Sequence, residues 1–352
     1  MIPLVYAVHS ANLFGTERMA LETLYGFRDT YTPILLCPSG PLEQEARNRG
    51  IDVRVCNGSL ALFRVISSIL RVHKKLVFMS TTAKQVLFLS LANLLKQRTV
   101  SHLHLVHGGA SEKLSYGRKK YLRFFKLFQV GVSPFVKERL IAHGVPESQI
   151  RVVGNFLTEA RRKSITRRAA FEQEPPRKGL VISRMIPAKR VNLLLEALEK
   201  DKQLEHLAFT CYGTGGQLEP LRHRAESGGL NVTLPGFSSE LNRLSAEYDF
   251  LVHLCPDEPF GLVILEAMAA GLPVLVPDTG GVTFIVQDRV NGFTFEANDA
   301  SALAEGIHRL INTPLDELNQ IVARSSGDLE TRFACEGQLA CYQEVIEEAF
   351  TR

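Results

Sequence analysis

Two runs of short apolar strands, each interleaved with helical patterns, constrain this chain more than any other feature of its sequence. In the first run, residues 4–8, 33–36, 53–56, 76–79, 100–105 and 130–132 read as strands, and helical patterns over 18–25, 42–49 and 134–143 follow several of them. In the second, 180–183, 208–212, 232–234, 250–254, 274–276 and 293–295 alternate with helices, notably over 191–199 and 262–270. A helix between two strands of one sheet is a crossover, so the strands lie parallel and helices cover both faces. Between the runs, 159–178 is polar and basic and carries Pro175-Pro176, the composition of a linker. The expected fold class is therefore α/β, with two Rossmann-like doubly wound parallel-sheet domains. Ligands of such sheets bind beyond the carboxyl ends of the strands, and here two sets of ends can face one cleft.

A length of 352 residues agrees with about two domains. With 45% hydrophobic and 22% charged residues the chain can bury sizeable cores. No apolar run reaches the roughly 18–20 residues that cross a bilayer. The longest candidate, 85–95, is interrupted by Asn93 and bounded by Lys84 and Lys96. No basic segment with a cleavage site opens the sequence, so no signal peptide is expected. The six cysteines form no C-x-x-C pair, which suggests reduced thiols in cores and a cytoplasmic compartment.

Charge is divided unevenly. Residues 1–168 hold 26 Lys+Arg against 10 Asp+Glu, a balance of +16, whereas 169–352 balance to −12. Basic side chains cluster at Arg118, Lys119, Lys120, Arg123 and Lys126, and again at Arg161, Arg162, Lys163, Arg167 and Arg168. Such a face attracts an anionic membrane surface or a phosphate-bearing acceptor, by about 1 kcal/mol per basic side chain near an anionic leaflet. A merely solvated face is the alternative. Nucleic acid is not an expected partner, because no DNA- or RNA-binding module is visible.

The most informative block is 258–273. An apolar strand runs into a Pro-Asp-Glu-Pro turn, and Gly261 then opens a helix that stops at Gly271 with Pro273 beyond. Backbone N–H groups around Phe260, Gly261, Leu262 and Val263 have no partner within the helix and suit a phosphate. Glu258 precedes the helix and Glu266 lies within it. Two carboxylates flanking an anion site suit a polyol partner, since each accepts charge-assisted bonds from hydroxyls. This E-x7-E block closely resembles the signature of retaining GT-B glycosyltransferases of family 4, the glycosyl transferases group 1.

Other segments agree with that resemblance. Residues 183–190 are similar to the family's G-R-L-x-x-x-K segment, which implies that Arg184 and Lys189 hold a donor diphosphate; Ser183 replaces the usual glycine. Gly213 and Gly215 resemble the family's G-x-G turn, and 232–237, with Pro235, its V-x-L-P-G-F segment near the base. Thr279-Gly280-Gly281 and Asn291-Gly292 match further turns. In the first half, Gly15 and Thr16 lie in a loop resembling the family's G-G-x-E-R, with Phe14 in place of the first glycine. His107, at the carboxyl end of its strand, resembles the family's active-site histidine and is preferred over His102 and His104. Ser133 and Asn155 stand where the family carries a Ser and an Asn.

The resemblance implies a GT-B fold with 1–168 as an acceptor-binding domain, 169–334 as the nucleotide-sugar domain, and 335–352 as a C-terminal helix packing back on the first. It implies sugar transfer from a nucleotide diphosphate sugar to a glycan or lipid-linked acceptor with retention of configuration, in cell-surface polysaccharide, lipopolysaccharide or glycolipid assembly. His107, Arg184, Lys189 and Glu258 are the expected catalytic groups, and Glu266 the ribose ligand. No D-x-D follows a strand, so neither a metal nor a cofactor is expected beyond the donor itself. A GT-B sugar-nucleotide epimerase or a non-catalytic sugar-nucleotide-binding protein is the alternative. A dehydrogenase is disfavoured because no G-x-G-x-x-G follows the first strand.

Overall fold

The computed structural model describes residues 1–108 and 113–352. They form two compact units, one of Met1–Thr158 with Cys335–Arg352, the other of Glu159–Ala334.

In the first unit, β1 (Pro3–Ala7), β2 (Thr32–Cys37), β3 (Asp52–Val55), β4 (Lys75–Ser80), β5 (Thr99–Val106), β6 (Phe128–Gly131) and β7 (Ile150–Val152) form one sheet. Its order is β3-β2-β1-β4-β5-β6-β7, and every pairing is parallel. The order reverses between β1 and β4, which makes the carboxyl ends there the switch point of a doubly wound sheet. Strand β7, three residues long behind the Pro146 turn, is too short to signal itself by pattern. On one face Val5, Ile34, Leu36 and Phe78 pack under Ile66, Leu70 and Leu89 of the helices Ser59–Val72 and Ala83–Leu94. The helix Cys335–Thr351 belongs to this unit: Ser101 Oγ donates to the Ile346 carbonyl at 2.9 Å, Tyr31 donates to Gln343 at 2.8 Å, and Tyr342 and Ile346 are buried.

In the second unit, β8 (Lys178–Ile182), β9 (Ala208–Tyr212), β10 (Val232–Gly236), β11 (Phe250–Val252), β12 (Val274–Pro277) and β13 (Phe293–Phe295) pair in parallel in the order β10-β9-β8-β11-β12-β13. The switch point lies between β8 and β11. Leu194, Leu198, Phe209, Phe250, Leu303 and Ile307 are among the residues of its main core.

The segment read as a linker is packed. Arg161 donates to Glu266 at 2.8 Å, the Arg168 N–H donates to the Ala270 carbonyl at 2.8 Å, and Ile165 and Phe171 are buried. These two apolar anchors in a polar stretch tie it to the second unit, so the division falls at Thr158/Glu159 and not at 168/169. The basic cluster Arg161–Arg168 moves with it. Counted by unit, the charge is +9 for the first and −5 for the second, a smaller contrast than the two halves of the sequence suggest.

Candidate functional site

In the second unit, the loops that leave β8, β9, β11 and β12 at their carboxyl ends are bonded to one another. Ser183 N–H donates to the Tyr212 carbonyl at 2.9 Å, Met185 N–H to Thr214 at 2.9 Å, and Gly213 N–H to Gly236 at 2.8 Å. Gly281 N–H donates to the Glu258 carbonyl at 2.6 Å, and Thr279 Oγ1 to the Pro256 carbonyl at 3.1 Å. Gly213 has φ +138, and a Cβ there would lie 1.7 Å from the Ser183 carbonyl oxygen; at Gly215, φ +153, it would lie 2.3 Å from that of Met185. These glycines let one loop press on the next. The missing side chains face protein backbone.

The charged centre of this loop cluster is a pair. Lys189 Nζ donates to Glu258 Oε2 at 2.5 Å, and both side chains are largely buried. Burial alone would raise the Glu258 carboxyl, yet the His253 imidazole and the Lys189 ammonium outweigh it and hold the group well below the usual carboxylate range. Burial pulls the Lys189 ammonium down, and Glu258 with the Cys255 sulfur more than restores it. Glu258 is therefore an acceptor at neutral pH and has no proton to give. His253 Nε2 lies 3.3 Å from Glu258 Oε2 but off the line of a hydrogen bond. Arg184 is exposed on the loop after β8, close enough to oppose the Lys189 charge. Its guanidinium has no side-chain partner among the described residues, so it is available to an anion. An open depression of about 460 Å³ adjoins this loop, bounded by Pro187, Ala188, Arg190, Asn192 and Gln217. The buried Gln217 Oε1 finds no donor among the described residues.

Phe260 turns its ring into the unit, edge-on to Phe333 at 6.0 Å and Phe284 at 6.5 Å. This anchors the start of the helix Leu262–Ala269, with Gly261 at its N-cap in the left-handed region at φ +97. Phe260 thus offers a ligand its backbone only, while Leu262 and Val263 are half-buried in the first turn. Pro235 is exposed at the end of β10. Glu266 is not a free carboxylate, because Arg161 holds its Oε1 at 2.8 Å. A ribose diol there has to share it with the guanidinium.

His253, Cys255 and Glu258 place a nitrogen, a sulfur and an oxygen within 4.8 Å of one another, a set that suits a zinc-like ion. Lys189 Nζ sits among the same atoms, 2.5 Å from Glu258 and 3.8 Å from Cys255 Sγ. Burial also pushes the Cys255 thiol up to about 11. A metal would have to displace the ammonium and deprotonate that thiol. Sequence reasoning passed over His253 and read Cys255, with the other cysteines, as a reduced core thiol, which its burial bears out; the one available signal for the cluster was a lone histidine in the apolar run 250–254.

The remaining expected residues lie in the first unit. Gly15 and Thr16 begin the helix Gly15–Gly26, whose N-cap Phe14 supplies no side-chain cap. His107 follows β5, half-buried, with Nε2 3.4 Å from Tyr6 Oη. Desolvation and the charge of Lys119 lower its pKa to about 4, so the ring is neutral. Gly109 lies outside the described residues. Lys119 is drawn inward: its Nζ is 2.6 Å from His104 Nε2, while Ser80 Oγ bridges His104 Nδ1 at 3.0 Å and His102 Nε2 at 2.9 Å. Burial lowers the Lys119 ammonium to about 8. Ser133 caps the helix Pro134–Ala142 through Val136 N–H at 3.3 Å. Asn155 is buried and its Oδ1 meets no donor among the described residues.

Comparison with known proteins agrees with this architecture. Residues 163–326 match the family model described as glycosyl transferases group 1, so the second unit carries a domain of that kind. An uncharacterised glycosyltransferase of Methanocaldococcus jannaschii is 28% identical over 207 residues, 55% of this chain and 53% of that protein. The amylovoran biosynthesis glycosyltransferase of Erwinia amylovora is 27% identical over 279 residues, 73% of this chain and 66% of that protein. The chain spans about half the length of the first curated relatives it matches. The crystal structure of Anabaena HepE with UDP and glucose superposes with a TM-score of 0.83 over 99% of this chain and 100% of that one, at 18% identity. The two parallel-sheet units thus have the fold of GT-B glycosyltransferases.

Proposed function

We propose that this protein is a retaining glycosyltransferase that moves a sugar from a nucleotide diphosphate sugar to a glycan or lipid-linked acceptor, in the assembly of cell-surface polysaccharide, lipopolysaccharide or glycolipid. The observation that carries the reading is the Lys189–Glu258 pair, set beside the unpartnered Arg184 and the opening of the helix Leu262–Ala269. A diphosphate needs cations and N–H donors, and Arg184, Lys189 and the first helical turn offer both. Lys189 has three N–H donors, so it can keep Glu258 and still reach a phosphate oxygen. Glu258, held ionised, accepts from a sugar hydroxyl. As charge builds on the departing diphosphate, the two cations stabilise it. Glu266 and Arg161 together take the ribose, and neutral His107 orients the transferred sugar. No protein nucleophile is assigned.

A panel of nucleotide sugars tests this, read first as a rise in melting temperature and then as turnover with and without acceptor. Uridine diphosphate sugars lead the panel, because the Anabaena relative was crystallised with UDP and glucose. A stabilising donor that is consumed faster with an acceptor present supports the assignment. A donor that binds and is never consumed favours a binding protein, and interconversion of sugars without an acceptor favours an epimerase.

A further inference from the structure

From Val53 to Lys137 the chain contains 15 Lys+Arg and a single carboxylate, Glu112. This segment includes the helix Ala83–Leu94 and the 3-10 turn Lys119–Phe124, which pack together through Val86, Leu122, Phe125 and Leu127. Both present apolar side chains outward. Leu87, Leu91 and Leu94 recur at helical spacing on one stripe, and Leu95 extends it; Leu91 is 54% and Leu95 91% exposed. On the turn, Tyr121 and Phe124 are exposed, the latter by 74%. Exposed apolar side chains are unremarkable singly, but a grouped stripe rimmed by charge of one sign marks an interaction surface.

The rim is cationic. Arg118, Lys120, Arg123 and Lys126 are all exposed, and none pairs with a carboxylate among the described residues. Lys120 and Arg123 instead lie over the rings of Tyr121 and Phe124, at 5.4 and 4.9 Å. Lys119, the fifth member of the cluster, is turned inward to His104 and does not contribute. Leucines and aromatic rings between unneutralised cations match a boundary where acyl chains meet phosphate headgroups. No helix among the described residues is long and apolar enough to cross a membrane.

We propose that the helix Ala83–Leu94 and the turn Lys119–Phe124 form the surface by which the first unit docks on a membrane leaflet bearing anionic phospholipids. The leucine stripe with Phe124 enters the acyl boundary, and Arg118, Lys120, Arg123 and Lys126 stay among the headgroups. The purpose of this contact rests on the reading of a lipid-linked acceptor. Its measurement does not, because vesicle binding requires neither donor nor acceptor.

Flotation with vesicles of phosphatidylcholine alone, or mixed with phosphatidylglycerol, tests the proposal at low and high salt. The protein is expected on the mixed vesicles roughly tenfold more than on the neutral ones, and less at high salt. Leu91→Glu with Leu95→Glu, and separately Lys120→Glu with Arg123→Glu, should each cut that binding roughly tenfold with unchanged thermal unfolding. Lys200→Glu with Lys202→Glu, on the second unit, should leave it unchanged. Equal binding to both vesicle types, or patch variants that bind like the parent, overturns the proposal. So does a protein that ignores vesicles and forms a dimer that the leucine variants dissolve, which would assign the face to a second copy of the chain. A failed donor panel with intact vesicle binding would remove the transferase reading and leave this surface standing.

Discussion

An ammonium and a carboxylate at 2.5 Å, with little water around either, fix each other's charge. Removing one leaves the other buried and unpaired. Lys189→Met is therefore expected to cost about 3 kcal/mol of second-unit stability, and adding Glu258→Gln should recover part of it. A double-mutant cycle by denaturant unfolding measures this, and strictly additive losses would show that the two groups are not coupled. In catalysis the same residues should separate from Glu266. Glu258→Gln should remove turnover while leaving nucleotide binding within a few-fold, and Glu266→Ala should weaken binding about tenfold. Calorimetry with a nucleotide diphosphate checks the ranking. Arg161→Ala, which frees the Glu266 carboxylate, is the informative companion. Glu258, Glu266 and Lys189 were legible because each sits at a fixed spacing in a continuous block. The Arg161 partner of Glu266 was not, since 105 residues separate them and no local pattern records the contact. His253 was missed for the opposite reason: a histidine in an apolar strand reads as core until its neighbour across the loop is known.

The elements were more legible than the contacts between their ends. Strand–helix alternation gave two parallel sheets because period and crossover are local properties. The packed 159–178 segment was hidden because Ile165 and Phe171 are too far apart to make a pattern. At the strand ends, the turn at Gly213 is expected to admit no side chain. Gly213→Ala meets both the φ of +138 and the Ser183 carbonyl 1.7 Å from the new Cβ. The loss should exceed about 2 kcal/mol, seen as a lower denaturant midpoint; an unchanged midpoint would mean that the 183–185 loop yields freely. In the first unit, Tyr342→Ala removes a fully buried ring from the helix Cys335–Thr351 and should cost about 3–5 kcal/mol. Hydrogen exchange should then report opening along β5 while β8 and β11 stay protected.

The two units should respond differently to acid. His102 and His104 are buried and neutral, with their pKa values lowered by desolvation, in the case of His102 to about 3. Their unfolded value is about 6.5, so between there and the folded values the unfolded state binds more protons, and stability is lost as the pH is lowered. Each contributes a loss of about 1.4 kcal/mol per pH unit in that window. Glu17, raised by burial, opposes them in part. Glu258 is depressed, so its contribution persists down to its unfolded value near 4.5 and is lost only below. Hydrogen exchange at pH 7.5, 6 and 5 should therefore show the first unit loosening while the second holds. Simultaneous loosening would contradict the assignment.

The ownership of Cys335–Arg352 also has a consequence on the ribosome. Residues 159–334 are complete in themselves once translated and can close their own sheet. The earlier-made portion holds all seven strands of its sheet but lacks the cover for β5 around Ser101, which is translated only after the whole second unit. That apolar face must wait bare in the nascent chain, the period when chaperones and aggregation compete for it.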